Sequence, residues 1–284
     1  MNLRSPLLPA VLTVTALCLA ACESSFDARL SADPIDNLQR VTLPLEGLAV
    51  QTSDGQSRSL RLDDPVDVDL LLFDLDNPYL LIANAELAEG SYRSVQLLVD
   101  ADGAELQRLD GGLFPIDLAA STPFADVAFS VDEDSSVAID LALDLRLSLS
   151  QRTDDRYRLA PVLRAVPAGD GAEVRGVVGG GLLNDASCAL GAAVYLFEGL
   201  DVEPDERDGA GVEPVATAAV RNDPFNAVPA YRLGVLAEGP YTLALTCDGE
   251  LEDGLDVADP EINFIARYNL ELLRTEQRVF NLPP

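Results

Sequence analysis

Apolar residues recur along most of this chain at every second position. Val66, Val68, Leu70 and Leu72 alternate with Asp67, Asp69 and Leu71, and Val95, Leu97 and Val99 form another such run. A period of two puts one face of a strand on a core. The longest run is Val137, Ile139, Leu141, Leu143, Leu145, Leu147 and Leu149, interleaved with Ala138, Asp140, Ala142, Asp144, Arg146 and Ser148. It predicts one continuous strand, because a helix would scatter those positions around its circumference. Asn77-Pro78 and Asp102-Gly103 supply turns between strands, the second suited to a tight hairpin. Residues 157–166 predict a further strand in which Pro161 marks an edge or a bulge.

Breakers at residues 167–171 divide the chain, and a fresh strand begins at Glu173. The second half then repeats the first in outline. Leu87-Ala88-Glu89-Gly90-Ser91-Tyr92 returns as Leu236-Ala237-Glu238-Gly239-Pro240-Tyr241, and Leu70-Leu71-Leu72-Phe73 answers to Val194-Tyr195-Leu196-Phe197. The spacer between the two blocks is longer in the second copy by an acidic, Pro- and Gly-rich stretch around residues 201–214, expected to be an exposed loop. After Tyr241 the apolar set Leu243, Leu245 and Cys247 keeps step with the tyrosine. After Tyr92 it slips by one, and a β-bulge near Arg93-Ser94 would account for the slip. The Gly-x-Tyr unit suits a chain that turns at glycine, starts a strand and plants a ring on the core, its hydroxyl reaching a backbone group. The fold class expected is all-β, with two antiparallel β-sandwiches over residues 39–168 and 171–284 and a flexible tether over residues 22–38.

Charge narrows the partners. The 284 residues carry a net charge of −29, with no histidine and no lysine among the 19 basic residues. Such a charge repels phosphate, which argues against nucleic acid and against docking on anionic lipid heads. An all-arginine basic set follows from GC-rich codon use or from adaptation to salty water; only the second requires the melting temperature to rise as NaCl is raised to molar concentration.

The N-terminus adds location. Arg4 precedes a short apolar run at residues 7–19, and small residues follow. That pattern is an export signal, too short for a membrane-spanning helix. Leu19-Ala20-Ala21-Cys22 resembles the lipobox of bacterial lipoproteins. The resemblance implies removal of residues 1–21, acyl chains on Cys22 and attachment to a membrane of the cell envelope; Glu23 in place of Asp leans towards the outer one. An ordinary signal peptide with an incidental Cys22 is the alternative. With Cys18 removed and Cys22 lipidated, Cys188 and Cys247 are left, either as one disulfide or as two buried thiols.

Residues 41–166 resemble the bacterial domain-of-unknown-function 4382 family. The likeness rests on residues 46–50, 68–71 and 87–100, on Ala142-Leu143-Asp144-Leu145-Arg146-Leu147-Ser148, and on residues 157–164. The family's usual Asp-x-Asp-x-x-x-Ser run lacks its first acid here, where Ala142 stands. Residues 171–284 resemble prealbumin-like and carboxypeptidase-regulatory-like β-sandwiches. Together these imply an exported sandwich protein and no chemistry.

The chemistry to be expected is correspondingly limited. Without histidine there is no Ser-His-Asp or Cys-His system and no histidine-ligated metal. Gly179-Gly180-Gly181 lacks the Lys-Ser/Thr ending of a phosphate loop and reads as a turn. No residue is assigned as catalytic and no cofactor is required. Calcium is the one cofactor the acidic loops allow, with Asp74, Asp76, Asp132 and Asp134 as candidates, none of them in an EF-hand pattern. The function expected is a non-enzymatic binding, adhesion or scaffolding module whose partner is an envelope protein or a glycan. The alternatives are a carboxylate-based hydrolase acting on glycans and a calcium-dependent binding protein.

Overall fold

The structure, a computed structural model, describes residues 24–33, 35–100, 102–119, 124–152, 156–184, 188–249 and 262–283. Strands β1 (Ser25–Asp33), β2 (Leu38–Thr52), β3 (Ser57–Asp69), β4 (Tyr79–Glu86), β5 (Gly90–Val99), β6 (Glu105–Arg108), β7 (Leu113–Leu118) and β8 (Ala125–Val131) come first. They are followed by β9 (Ser136–Asp144), a single helical turn α1 (Leu145–Ser148), β10 (Leu149–Gln151), β11 (Tyr157–Leu159) and β12 (Leu163–Pro167). One sheet runs β12-β9-β1-β4; the other runs β10-β11-β7-β6-β2-β5-β8, with β3 also paired to β2. Phe26, Leu30, Leu43, Leu45, Leu97, Ile139 and Leu141 fill the space between them.

The second set comprises β13 (Ala172–Val177), the short helix α2 (Cys188–Gly191), β14 (Ala193–Glu198), β15 (Ala216–Ala219), β16 (Arg221–Asn222), β17 (Pro229–Leu236), β18 (Gly239–Thr246), β19 (Phe264–Leu272) and β20 (Gln277–Val279). Two four-stranded sheets, β16-β17-β13-β20 and β15-β14-β18-β19, close on Val174, Leu196, Leu233, Leu243 and Leu245. The protein is therefore all-β and built of sandwiches.

The Gly-x-Tyr repeat is a matched structural device. Gly90 and Gly239 have φ of +143° and +155°, a region closed to most L-residues. Each tyrosine hydroxyl then donates to the carbonyl four residues upstream, Tyr92 to Ala88 at 2.7 Å and Tyr241 to Ala237 at 2.9 Å. The slip after Tyr92 is the expected bulge: Tyr92 pairs with Phe129 and Ser94 with Asp126, and the register shifts across Arg93. The bulge turns Val95 and Leu97 inward although they are out of phase with the ring.

Four expectations need correction. The segment read as a flexible tether contains β1, the central strand between β9 and β4, with Phe26, Ala28, Leu30 and Ala32 all buried. Two of those four inward residues are alanine, so the alternation is weak in hydropathy although complete in geometry.

The run from Val66 to Leu72 is not one buried face, since Val66 and Leu72 are exposed. Here the Asp69 carboxylate accepts from Leu71 N and ends β3 in a 3-10 turn, Leu70–Leu72. The corresponding Val194–Phe197 block lies in a strand, so the repeat fails at this point.

The run from Val137 to Leu149 is broken by α1, because the buried Asp144 carboxylate caps Leu147 N at 3.1 Å. Helix capping at Asp144 overrides strand periodicity there.

Pro161 falls neither on an edge nor in a bulge; it lies between β11 and β12, where the chain crosses from one sheet to the other. The Gly179–Gly181 stretch is a turn, with Leu182 N donating to Gly179 O.

Candidate functional site

β14 explains how the two sandwiches meet. All five residues from Ala193 to Phe197 have 0% exposure, so this strand is covered on both faces. Val194 and Leu196 enter the core of their own sandwich. Ala193, Tyr195 and Phe197 instead pack, with Ala244 and Ile262, on Leu147 of α1. The turn that follows β9 is thus the knob on which the second sandwich sits. Arg207, from the acidic stretch expected to be an exposed loop, donates to Leu147 O and to Ala160 O, which pins that stretch to the first sandwich.

Polar groups lock the same junction. Asp144, with no exposed surface, accepts from Thr217 N at 2.5 Å and from Thr217 Oγ1 at 2.9 Å across the boundary. Ser148 Oγ accepts from Val162 N at 2.9 Å and donates to Asp144 O. Arg164 reaches Asp33 at 2.5 Å and Asp144 at 3.7 Å, and its Nη2 also donates to Gly234 O at 3.2 Å in the second sandwich. Ala142, at the position where the related run carries an acid, is paired with Arg164 and with Ser31, so the neighbouring strand supplies the second carboxylate, Asp33.

Burial pushes the Asp33 carboxyl up to about 6; the Arg164 charge opposes the rise and the Asp144 charge adds to it. Above pH 6 the folded state therefore carries an ionised group that the unfolded chain solvates freely. Between pH 4 and 6 the folded chain holds a proton that the unfolded chain has lost, so this group's contribution to stability falls as pH rises through that window. Asp33→Asn removes the dependence. Relative to the variant, the wild type should gain on the order of 2 kcal/mol between pH 7 and pH 4.5 in urea unfolding. A constant difference between the two proteins would show that Asp33 does not titrate there.

Beside this lock the two sandwiches enclose a cleft of about 680 Å³. One wall is the outer face of β13 and β17, where Arg175, Val177 and Arg232 turn away from the core that takes Val174 and Leu233. The other wall is the Asp74-Leu75-Asp76 turn of the first sandwich, and Asn222, Phe225 and Asn281 stand at its margin. Leu75 reaches across because Gly234 carries no side chain; a Cβ there would lie 2.7 Å from a Leu75 methyl. Arg232–Asp76 at 2.6 Å and Arg221–Asp36 at 2.6 Å bridge the sandwiches. The Arg232 hydrogen bond holds the Asp76 carboxyl below its ordinary range.

Each carboxylate on the lining already has a task. Asp33 faces Arg164 and Asp76 faces Arg232. Asp74 accepts from Asp76 N and Asn77 N, both at 2.9 Å. Asp223 accepts from Phe225 N and Asn226 N, again at 2.9 Å. Of the calcium candidates, Asp74 and Asp76 belong to this wall and are so engaged. Asp132 and Asp134 lie in a separate turn, where Asp132 N donates to Ser135 Oγ and Asp134 has φ of +59°. Among the described residues no group of three or more His, Cys, Asp or Glu side chains is arranged as a metal shell.

A disulfide joins Cys188 to Cys247, tying α2 to the end of β18, with Cα atoms 4.3 Å apart. Cys22 and the apolar leader lie outside the described residues, and no described helix is long and apolar enough to cross a membrane. The cleft had no sequence signal of its own, since its walls come from segments far apart in the chain.

Among solved structures the chain is similar to the TIE protein of Bacillus anthracis, at 10% identity and a TM-score of 0.20, covering 92% of this chain and 33% of that one. This chain thus spans about a third of that protein. It is also similar to a candidate adhesin from Bacteroides ovatus (9% identity, TM-score 0.23, 92% and 90% covered). A third likeness is to a candidate polysaccharide-binding protein from Bacteroides thetaiotaomicron (12%, TM-score 0.20, 79% and 76% covered). TM-scores this low carry no functional inference. No curated protein matches the chain. The family match is direct and falls on the first sandwich: residues 23–161 match the model of the family described as Domain of unknown function (DUF4382).

Proposed function

We propose that this protein is a non-enzymatic binding module of the bacterial cell envelope, held to a membrane by acyl chains on Cys22 and working through the cleft between its sandwiches. The observation that carries the reading is the state of the cleft's carboxylates. Each is taken up by a guanidinium or by its own turn. Acid–base or nucleophilic catalysis needs a carboxylate poised towards a substrate, and here the carboxylates set the shape of the walls instead. The walls nevertheless offer guanidinium, amide and aromatic groups within a volume typical of small-ligand sites.

The anchor follows from the sequence, and β1 gives it a mechanical meaning. This strand begins at Ser25, three residues after Cys22. A lipid there would seat the first sandwich against the bilayer rather than on a long leash.

The full chain and its Cys22→Ser variant, expressed in a Gram-negative host fed an alkyne-tagged fatty acid, test the anchor. The wild type should take up the label and sediment with outer membranes, and the variant should do neither. An unlabelled, soluble wild type overturns the anchoring. Turnover of a glycan or peptide substrate, lost on changing one cleft carboxylate, would overturn the non-enzymatic reading.

A further inference from the structure

Phe225 is the most exposed large apolar residue described, at 92% of its free surface. An isolated exposed ring on a mobile tip would mean little, but the backbone beneath this one is fixed. Asp223 Oδ1 accepts from Phe225 N and Asn226 N, and Asp223 O accepts from Ala227 N at 2.8 Å, with Ala227 at φ +54°. The turn therefore holds the ring at the margin of the cleft. Leaving a whole ring in water forgoes the burial energy that most aromatic side chains recover.

The polar lining narrows what would cover it. Arg175, Arg221 and Arg232 stand among Asp33, Asp74, Asp76 and Asp223, so charges of both signs interleave in a chain whose net charge is −29. Neither an anion nor a cation gains much from such a balanced wall, and the overall charge repels anions at longer range. Planar guanidinium and amide groups beside carboxylate and carbonyl oxygens offer donors and acceptors together, which suits hydroxyl groups because each hydroxyl both gives and accepts.

An extended peptide is a poorer fit. It would add to a sheet edge, and the edges flanking the cleft are β16, two residues long, and β20, three residues long.

We infer that the cleft binds a neutral oligosaccharide, with the apolar face of one sugar ring stacked on Phe225 and its hydroxyls bonded to the arginine, asparagine and aspartate edges of the walls. The inference rests on the reading of the cleft as the binding site and names its ligand class.

The test is an array of neutral, uronic-acid and sulfated oligosaccharides, probed with the full chain in mild detergent. Hydrogen exchange of the protein with the best binder follows. Neutral glycans should bind, protect residues 217–232 and lose affinity by about tenfold in Phe225→Ala, the scale of one stacked ring face. Leu273→Ala, which removes an exposed side chain of the β19–β20 turn, should bind as the wild type does, and neither variant should change the melting temperature.

Two results separate this inference from the reading beneath it. If the array stays blank while a photo-reactive residue at Asn222 captures a protein in cells, the sugar class is wrong and the cleft stands. If neutral glycans bind but the protection lies away from residues 74–76, 175–177 and 217–232, the cleft itself is wrong. Binding confined to uronic or sulfated glycans, or unaffected by Phe225→Ala, also overturns the inference.

Discussion

Arg164→Leu is expected to destabilise the protein by about 3–5 kcal/mol, the cost of removing one member of a buried ionic group and leaving the others unpaired. The Arg164 side chain is 9% exposed, and its partners Asp33 and Asp144 are 6% and 0% exposed. Asp144 keeps its bonds to Thr217 and Leu147 in the variant, but Asp33 loses its counter-ion and faces another carboxylate in an apolar setting. The loss should therefore be largest above pH 6, where Asp33 is charged, and smaller at pH 4.5, where it is protonated in the folded state. Adding Asp33→Asn should return part of the stability at pH 7, because the double variant no longer buries an unpaired charge. Urea unfolding of the four proteins of this cycle measures the coupling directly. If the double variant is as unstable as the sum of the singles, the arginine acts through packing and its bonds to Gly234 O and Val215 O rather than through charge.

This lock also shows what sequence reasoning reaches. The alternation of Val95, Leu97, Ile139 and Leu141 declared strands because burial on one face of a pleat leaves a period that survives averaging over neighbours. The Gly-x-Tyr repeat declared its turns, and the slip after Tyr92 declared its bulge, because both follow from local backbone geometry. α1 stayed hidden for a physical reason. Leu145 and Leu147 continue the two-residue pattern while Asp144 caps a turn, and a four-residue helix is too short to print a period of its own. β1 was lost because alanine fills half of its inward positions. The cleft was illegible since its walls are residues 74–76 and 175–177, and nothing in a linear pattern says that one loop will lie across the other's sheet. β14 was a partial exception: its unbroken apolar run marks a strand covered on both sides, and that second cover is the other sandwich.

Reduction of the Cys188–Cys247 disulfide is expected to lower the stability of the chain by about 4 kcal/mol, since the cross-link closes a loop with a sequence separation of 59. The loop runs from α2 through β14, β15, β16 and β17 to the end of β18, so in the unfolded chain the bond constrains the segment that builds most of the second sandwich. Cys188→Ala/Cys247→Ala separates the cross-link from the packing of its sulfurs. Both cysteines are buried, with Ala192, Leu183 and Val220 around them, and truncation adds a small cavity cost. The reduced wild type should therefore be slightly more stable than the double alanine variant, and both well below the oxidised protein, in unfolding followed by circular dichroism with and without reductant. An oxidised protein no more stable than the reduced one would mean that the unfolded chain already holds α2 near β18. The same measurement bears on location. A fold that depends on this bond matures in an oxidising compartment and would be weaker if retained in a reducing cytoplasm. Full stability after cytosolic expression, with both thiols free, would remove the link between the disulfide and export.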